Sequence, residues 1–257
     1  MFSTKHIVLL ALCAVYAAGA LVLLSKKRPP LDTVTKILLA IGAVSETLKL
    51  CTYIVKNEET FGGYLPKTDL PFHLCSMQLI FMVVLVLSKS ERVKRALYSF
   101  MLPTCLIGGI AALALPTSSS LSMPVITVQY FLYHASIIVF AVYLYITDEF
   151  RPEFRDYTSA CLLLFAAFFV AVYLNGWIND YHHPINFMYV VAPPVEGLPY
   201  LNKDHGWLTY IVHYAALAYV CVTLCFIRPV SKKIKGLFAR EDGAAVPAEP
   251  EKEVLYR

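Results

Sequence analysis

Long apolar blocks alternate with short polar punctuation along this chain. Seven blocks of 18 or more residues are dominated by apolar side chains: Ile7–Leu24, Val34–Val55, Leu70–Leu87, Val93–Leu115, Val125–Ile146, Tyr157–Leu174 and Trp207–Ile227. At 1.5 Å per residue, each is long enough as a helix to cross about 30 Å of hydrocarbon. The pattern predicts an all-α, polytopic membrane bundle of about seven transmembrane helices. Its domain covers residues 1–235. The Ala-, Pro- and charge-rich end, 236–257, reads as a disordered cytoplasmic tail.

Charge orients the bundle. Fifteen Lys and Arg residues fall in or beside the connections on one side, from Lys26, Lys27 and Arg28 to the Arg228–Arg240 segment. The other side carries four: Lys5, Lys56, Lys67 and Lys203. The positive-inside rule places the N-terminus outside or lumenal and the C-terminus in the cytoplasm. Positive charge follows the first span rather than preceding it, so that span reads as a retained anchor and not a cleaved leader. The longest connection, Asn175–Gly206, is rich in aromatic and apolar residues and is expected to pack over the outer mouth of the bundle.

Composition sharpens this picture. The chain of 257 residues is 58% hydrophobic and 16% charged, less charge than a water-soluble domain of this length carries. A net charge of +4 arises from the membrane topology and implies no nucleic-acid partner. All seven cysteines (13, 51, 75, 105, 161, 221 and 225) lie in apolar runs, which argues against an extracellular disulfide framework. No C-x-x-C pair is present, and His182 and His183 beside Asp180 are a poor tetrahedral set, so neither metal nor cofactor is expected.

Candidate chemistry comes from ionisable residues inside the spans, which are costly there and face the bundle interior. Glu46, Lys49, His73, Cys75, Gln129, His134 and His213 all fall in the outer halves of their spans, and Asn175 caps the outer end of the sixth. They outline a wet cavity opening outward, with the 175–206 loop as its lid. Glu46 and Lys49, three apart, are placed to pair. On a continuous helix, His73 and Cys75 point about 200° apart, so His73 is a poor base for the thiol. Cys75 sits about 8 Å below the start of its span, His134 about 14 Å and His213 about 9 Å, so either histidine is a candidate partner. Blander readings stand beside these. A buried Cys is commonly an inert small hydrophobe. Asp69 and Pro71 suit a helix start. Membrane histidines also serve as interhelical glue.

LPFHLCS at 70–76, Tyr133-His134 in the fifth span, and NFMY followed by Pro193-Pro194 resemble the YwaF-like integral membrane family. The eukaryotic branch of that family includes acyltransferases of the transmembrane protein 164 type. The resemblance implies a phospholipid acyltransferase or transacylase that moves a fatty acyl chain to a lysophospholipid through a thioester on Cys75, with His134 as general base. The substrates it implies are membrane phospholipid and lysophospholipid. His73, Glu46, Lys49, Gln129, Asn175, Asn186, Tyr189 and His213 are the supporting candidates, and Lys49, Asn175 or His213 is the candidate oxyanion donor. The location follows the host: an endomembrane such as the endoplasmic reticulum in a eukaryote, the plasma membrane in a bacterium. Two alternatives remain open at this stage. One is a transporter or lipid carrier with Glu46, Lys49 and His134 as a polar relay; the other is a lipid ester hydrolase.

Overall fold

The computed structural model describes residues 3–56, 67–116, 121, 123–179, 185–195 and 200–241. Eight α-helices make up the described fold: α1 (Thr4–Lys27), α2 (Leu31–Lys56), α3 (Leu74–Leu87), α4 (Glu91–Ala114), α5 (Pro124–Ile146), α6 (Phe154–Ile178), α7 (Trp207–Cys225) and α8 (Ile227–Glu241). Six of them, α1, α2 and α4–α7, are long and apolar enough to cross a membrane. The third expected span differs. It becomes helical only at Leu74 and runs for 14 residues, preceded by a 3-10 turn at Lys67–Asp69 and an irregular stretch through Pro71 and Phe72.

The helix boundaries follow local chemistry. Ser3 caps α1 by accepting a bond from the His6 amide, and Arg28 ends that helix in the left-handed region just before Pro29 and Pro30. Ser90 caps α4, and Pro124 occupies the first turn of α5, where its missing N–H costs nothing. Asp156 accepts a bond from the Glu153 amide and closes the start of α6. Gly206, at φ +90°, makes the turn into α7 that a side chain would resist.

Helices α4 and α5 form the centre. α1 and α2 pack on α5, α3 packs on α2 and α4, and α6 and α7 pack on α4. The core therefore draws on Met101, Leu102, Cys105, Ile137, Phe140 and Leu144. On the outer helices the apolar residues turn outward: Val15 is 72% exposed and Phe165 62%. Such surfaces are stable only against lipid.

The two ends of the bundle differ in kind. At the basic end, Arg95 grips Asp156 through Nε (2.8 Å) and Nη2 (2.7 Å), and Ser99 donates to the same carboxylate. Asp156 is 2% exposed and fully partnered. Arg28 pairs with Asp148, and the Leu31 amide donates to Glu149, so the α1–α2 and α5–α6 turns are fastened together. At the opposite end, His6 meets the Leu113 carbonyl at 2.8 Å, and the segment 185–195 packs against α3, α6 and α7.

Candidate functional site

Three helices meet where the expected nucleophile lies. Cys75 opens α3 and is half-buried. Tyr133 of α5 donates its hydroxyl to the Cys75 carbonyl at 2.9 Å. Gly42 of α2 makes this reach feasible, because a Cβ there would stand 2.8 Å from Leu79 Cδ1 and 3.2 Å from the Tyr133 ring. The Cys105 thiol on α4 and the Tyr189 phenol lie within electrostatic reach of Cys75.

A charged cluster borders the thiol. Lys49 and Glu46 pair at 2.9 Å on α2, as their spacing predicts. The Lys49 ammonium also acts on Asp69, His73 and Cys75. Asp69 lies outside the helices, and burial pushes its carboxyl above the ordinary range; Lys49 opposes that shift and Glu46 adds to it. Asp69 does not cap α3. The N-cap is His73, in an extended conformation (φ −75°, ψ 149°) and without a side-chain capping bond. The helical angle expected between His73 and Cys75 therefore does not apply. The His73 ring is instead held by Phe187 and Tyr189, each with its ring centroid 5.5 Å away.

Those two aromatics come from a strained turn. Met188 and Tyr189 both have positive φ, at 53° and 55°, an unfavourable pair for residues with side chains. The surrounding side chains fix it. Asn175 donates to the Phe187 carbonyl and accepts from the Phe187 amide; Asn186 bonds the backbone of Val191 and Ala192. Trp207 donates to Val190 O, and the Tyr210 hydroxyl donates to Tyr189 O. Asn175 sits in the last turn of α6 rather than capping it, and its amide is fully engaged. A pocket of about 170 Å³ opens beside this turn, lined by Asn175, Trp207 and Val191 among others. It does not include Cys75 or His134, and a phospholipid is far larger.

His134 is buried, at 3% exposure. Its Nδ1–H donates to the Tyr130 carbonyl at 2.7 Å, so in the neutral ring Nε2 carries the lone pair; that nitrogen has no partner among the described residues. Gly109 admits the close contact of α4 with this part of α5, since a Cβ there would meet Ile138 at 2.6 Å and the His134 carbonyl at 3.2 Å. Among the described residues, no hydrogen bond or charge contact joins His134 to Cys75. Gln129 accepts a bond from Ser45 at 2.6 Å, one turn before Tyr133. His213 is exposed on α7 and bonds the Tyr200 carbonyl, with no contact to the thiol. The His182–His183 pair beside Asp180 lies outside the described residues. Among the described residues, no group of three His, Cys, Asp or Glu side chains is arranged to hold a metal.

Gln78, fully buried one turn below Cys75, was not singled out from sequence. Its Nε2 donates to Leu74 O and to Thr104 Oγ1, while its Oε1 has no partner. Its signal in the sequence is an amide in an apolar run, three residues after the cysteine.

These features define a class: a polytopic helical membrane protein with a polar cluster at one end of its bundle. The chain belongs to the TMEM164 family, whose profile matches residues 1–226. Neither the curated proteins nor the solved structures contain a match to it.

Proposed function

We propose that the protein is a cysteine-dependent phospholipid acyltransferase. The observation that carries this reading is the setting of His134: its Nδ1 meets the Tyr130 carbonyl, which fixes the Nδ1–H tautomer of the neutral ring, and its Nε2 is buried with no partner among the described residues, on the residue next to the tyrosine that holds the Cys75 backbone. A general base needs that tautomer.

The chemistry balances as follows. Nε2 of His134 takes the Cys75 thiol proton, and the sulfur attacks the ester carbonyl carbon of a donor phospholipid. The ester C–O bond breaks, and the departing lysolipid alkoxide takes the proton back. A second lysolipid then gives its hydroxyl proton to Nε2, and its oxygen attacks the thioester. The C–S bond breaks and the sulfur recovers the proton. The first half-reaction needs the thiol and Nε2 to meet; in the second, the acceptor hydroxyl stands between the thioester and the imidazole. Lys49, the cation within reach of Cys75, is the remaining oxyanion donor, because Asn175 and His213 are engaged elsewhere. His73, set by the Phe187 and Tyr189 rings, forms the wall on the outer side. Gln78 Oε1 and His134 Nε2 are both acceptors without donors, which suits a ligand that brings hydroxyl groups. In this reading the basic end faces the cytoplasm and the site opens to the outer or lumenal leaflet.

The test compares wild type, Cys75→Ala and His134→Ala at equal protein level, with hydroxylamine-labile acylation of the protein and lysolipid consumption as readouts. Wild type is expected to carry a thioester. Cys75→Ala is expected to carry none, and His134→Ala to turn over about 100-fold more slowly or worse. Unchanged lysolipid consumption in both variants would sink the proposal. Free fatty acid in place of new diacyl lipid would convert it to a hydrolase.

A further inference from the structure

The family match ends at residue 226, and α8 begins at Ile227. This helix is unlike the seven before it. Ile227, Val230, Ile234, Leu237 and Phe238 follow a three- and four-residue spacing, and all but Val230 are exposed, from 47% to 62%. Arg228, Lys232 and Lys235 fall on the opposite arc of the same turns. Contact with the rest of the protein runs along one border of the apolar stripe, where Val230 packs against the core and Lys233 lies 5.8 Å over the Phe154 ring.

The position of α8 is fixed by what precedes it. Phe226 is fully buried and breaks the helical path between α7 and α8, and the Tyr145 hydroxyl donates to the Cys225 carbonyl at the same bend. A membrane-spanning helix therefore ends and an amphipathic one begins at the bundle's basic end. Several neighbouring cations there are already matched: Arg28 with Asp148, Lys94 with Glu91, Arg95 with Asp156, and Arg155 with Glu153. Arg228 and Lys235 face no carboxylate among the described residues.

We infer that α8 lies in the membrane interface, with its apolar stripe in the acyl boundary and its basic stripe bound to anionic phospholipid headgroups. An apolar face exposed beside a bilayer enters it, and unmatched Arg and Lys at that depth take lipid phosphates as their counter-ions. Anionic lipid is the occupant because Arg228 and Lys235 face no carboxylate among the described residues and already sit at the bilayer edge; an acidic protein partner would have to displace it.

The test uses the full chain in nanodiscs of phosphatidylcholine alone or mixed with phosphatidylglycerol. Amide hydrogen exchange is read over 227–238, with α4 and α5 amides as the folding control. Anionic lipid is expected to slow exchange in α8. The variant Arg228→Gln/Lys232→Gln/Lys235→Gln is expected to lose that dependence, with retention of anionic lipid about fivefold weaker per charge removed. Ile234→Glu/Phe238→Glu is expected to speed exchange in both compositions. Equal exchange in the two lipid mixtures, or wild-type protection in both variants, would overturn the inference. So would protection that appears only when a cytosolic extract is added, since that would make the occupant a protein.

Discussion

At the residue scale, the governing fact is that polar groups inside this bundle are either fully partnered or left open in a specific way. Asp156 belongs to the first kind. Two Arg95 bonds, a Ser99 hydroxyl and the Glu153 amide surround it. Removing one side of a buried pair strands the other, so Arg95→Ala should lower stability by about 3–5 kcal/mol, read as thermal unfolding in a fixed detergent. Asp69 tests the electrostatics of the candidate site. Burial raises its folded-state carboxyl above the unfolded value, so the folded protein holds that proton more tightly. Its contribution to stability is present at low pH and fades as pH rises through the range above the ordinary carboxyl value. Asp69→Asn should flatten that part of the stability–pH curve. A curve unchanged by the substitution would mean that the carboxyl is not buried as described.

At the element scale, small residues and clamps decide where chemistry can occur. Gly109 allows α4 to lie against α5 at His134, and Gly42 leaves room for the Tyr133 ring to reach Cys75. Close backbone approach through small residues is a principal way in which membrane helices pack. Gly109→Ala should cost about 1–3 kcal/mol, because Ile138 and a backbone carbonyl occupy the space of the new methyl group. The 186–192 turn shows the same logic in a connection. Asn175→Ala removes three hydrogen bonds at a strained pair of residues and should destabilise by about 1–3 kcal/mol. If Asn175 acts only as a clamp, the thioester formed per folded molecule stays at the wild-type level. A selective loss of acylation at full stability would give Asn175 a direct role instead.

At the scale of the whole molecule, the two ends carry different work. One end gathers the ion pairs and the basic surface; the other gathers Cys75, His73, Lys49, Glu46 and Tyr189 around the start of α3. The short α3 is central to this asymmetry. Its 14 residues leave an irregular segment within the bundle, where backbone is tolerated only when buried in protein or lining a cavity. Glycosylation sites introduced ahead of Thr4 and beyond Glu241 check the orientation in a eukaryotic host. Modification of the first alone is expected; modification of the second alone would invert the bundle and move the thiol to the cytoplasmic leaflet.

The chain alone determined that this is an all-helical membrane protein and where most of its helices run, because hydrocarbon demands long apolar runs and penalises every charge within them. The Glu46–Lys49 pair was legible too, since helical spacing is local. Tertiary structure decided the rest. His73 lies off the helix because its ring packs on Phe187 and Tyr189, more than a hundred residues away in sequence. Asn175 bonds a loop backbone instead of ending its helix, and His213 turns to Tyr200 instead of the thiol. The Oε1 of Gln78 and the Nε2 of His134 became notable only once the fold left both buried with no partner among the described residues. Hydropathy and period report how each segment meets its solvent, but a side chain's partner depends on which segments pack together, and that is set by contacts spread over the whole fold.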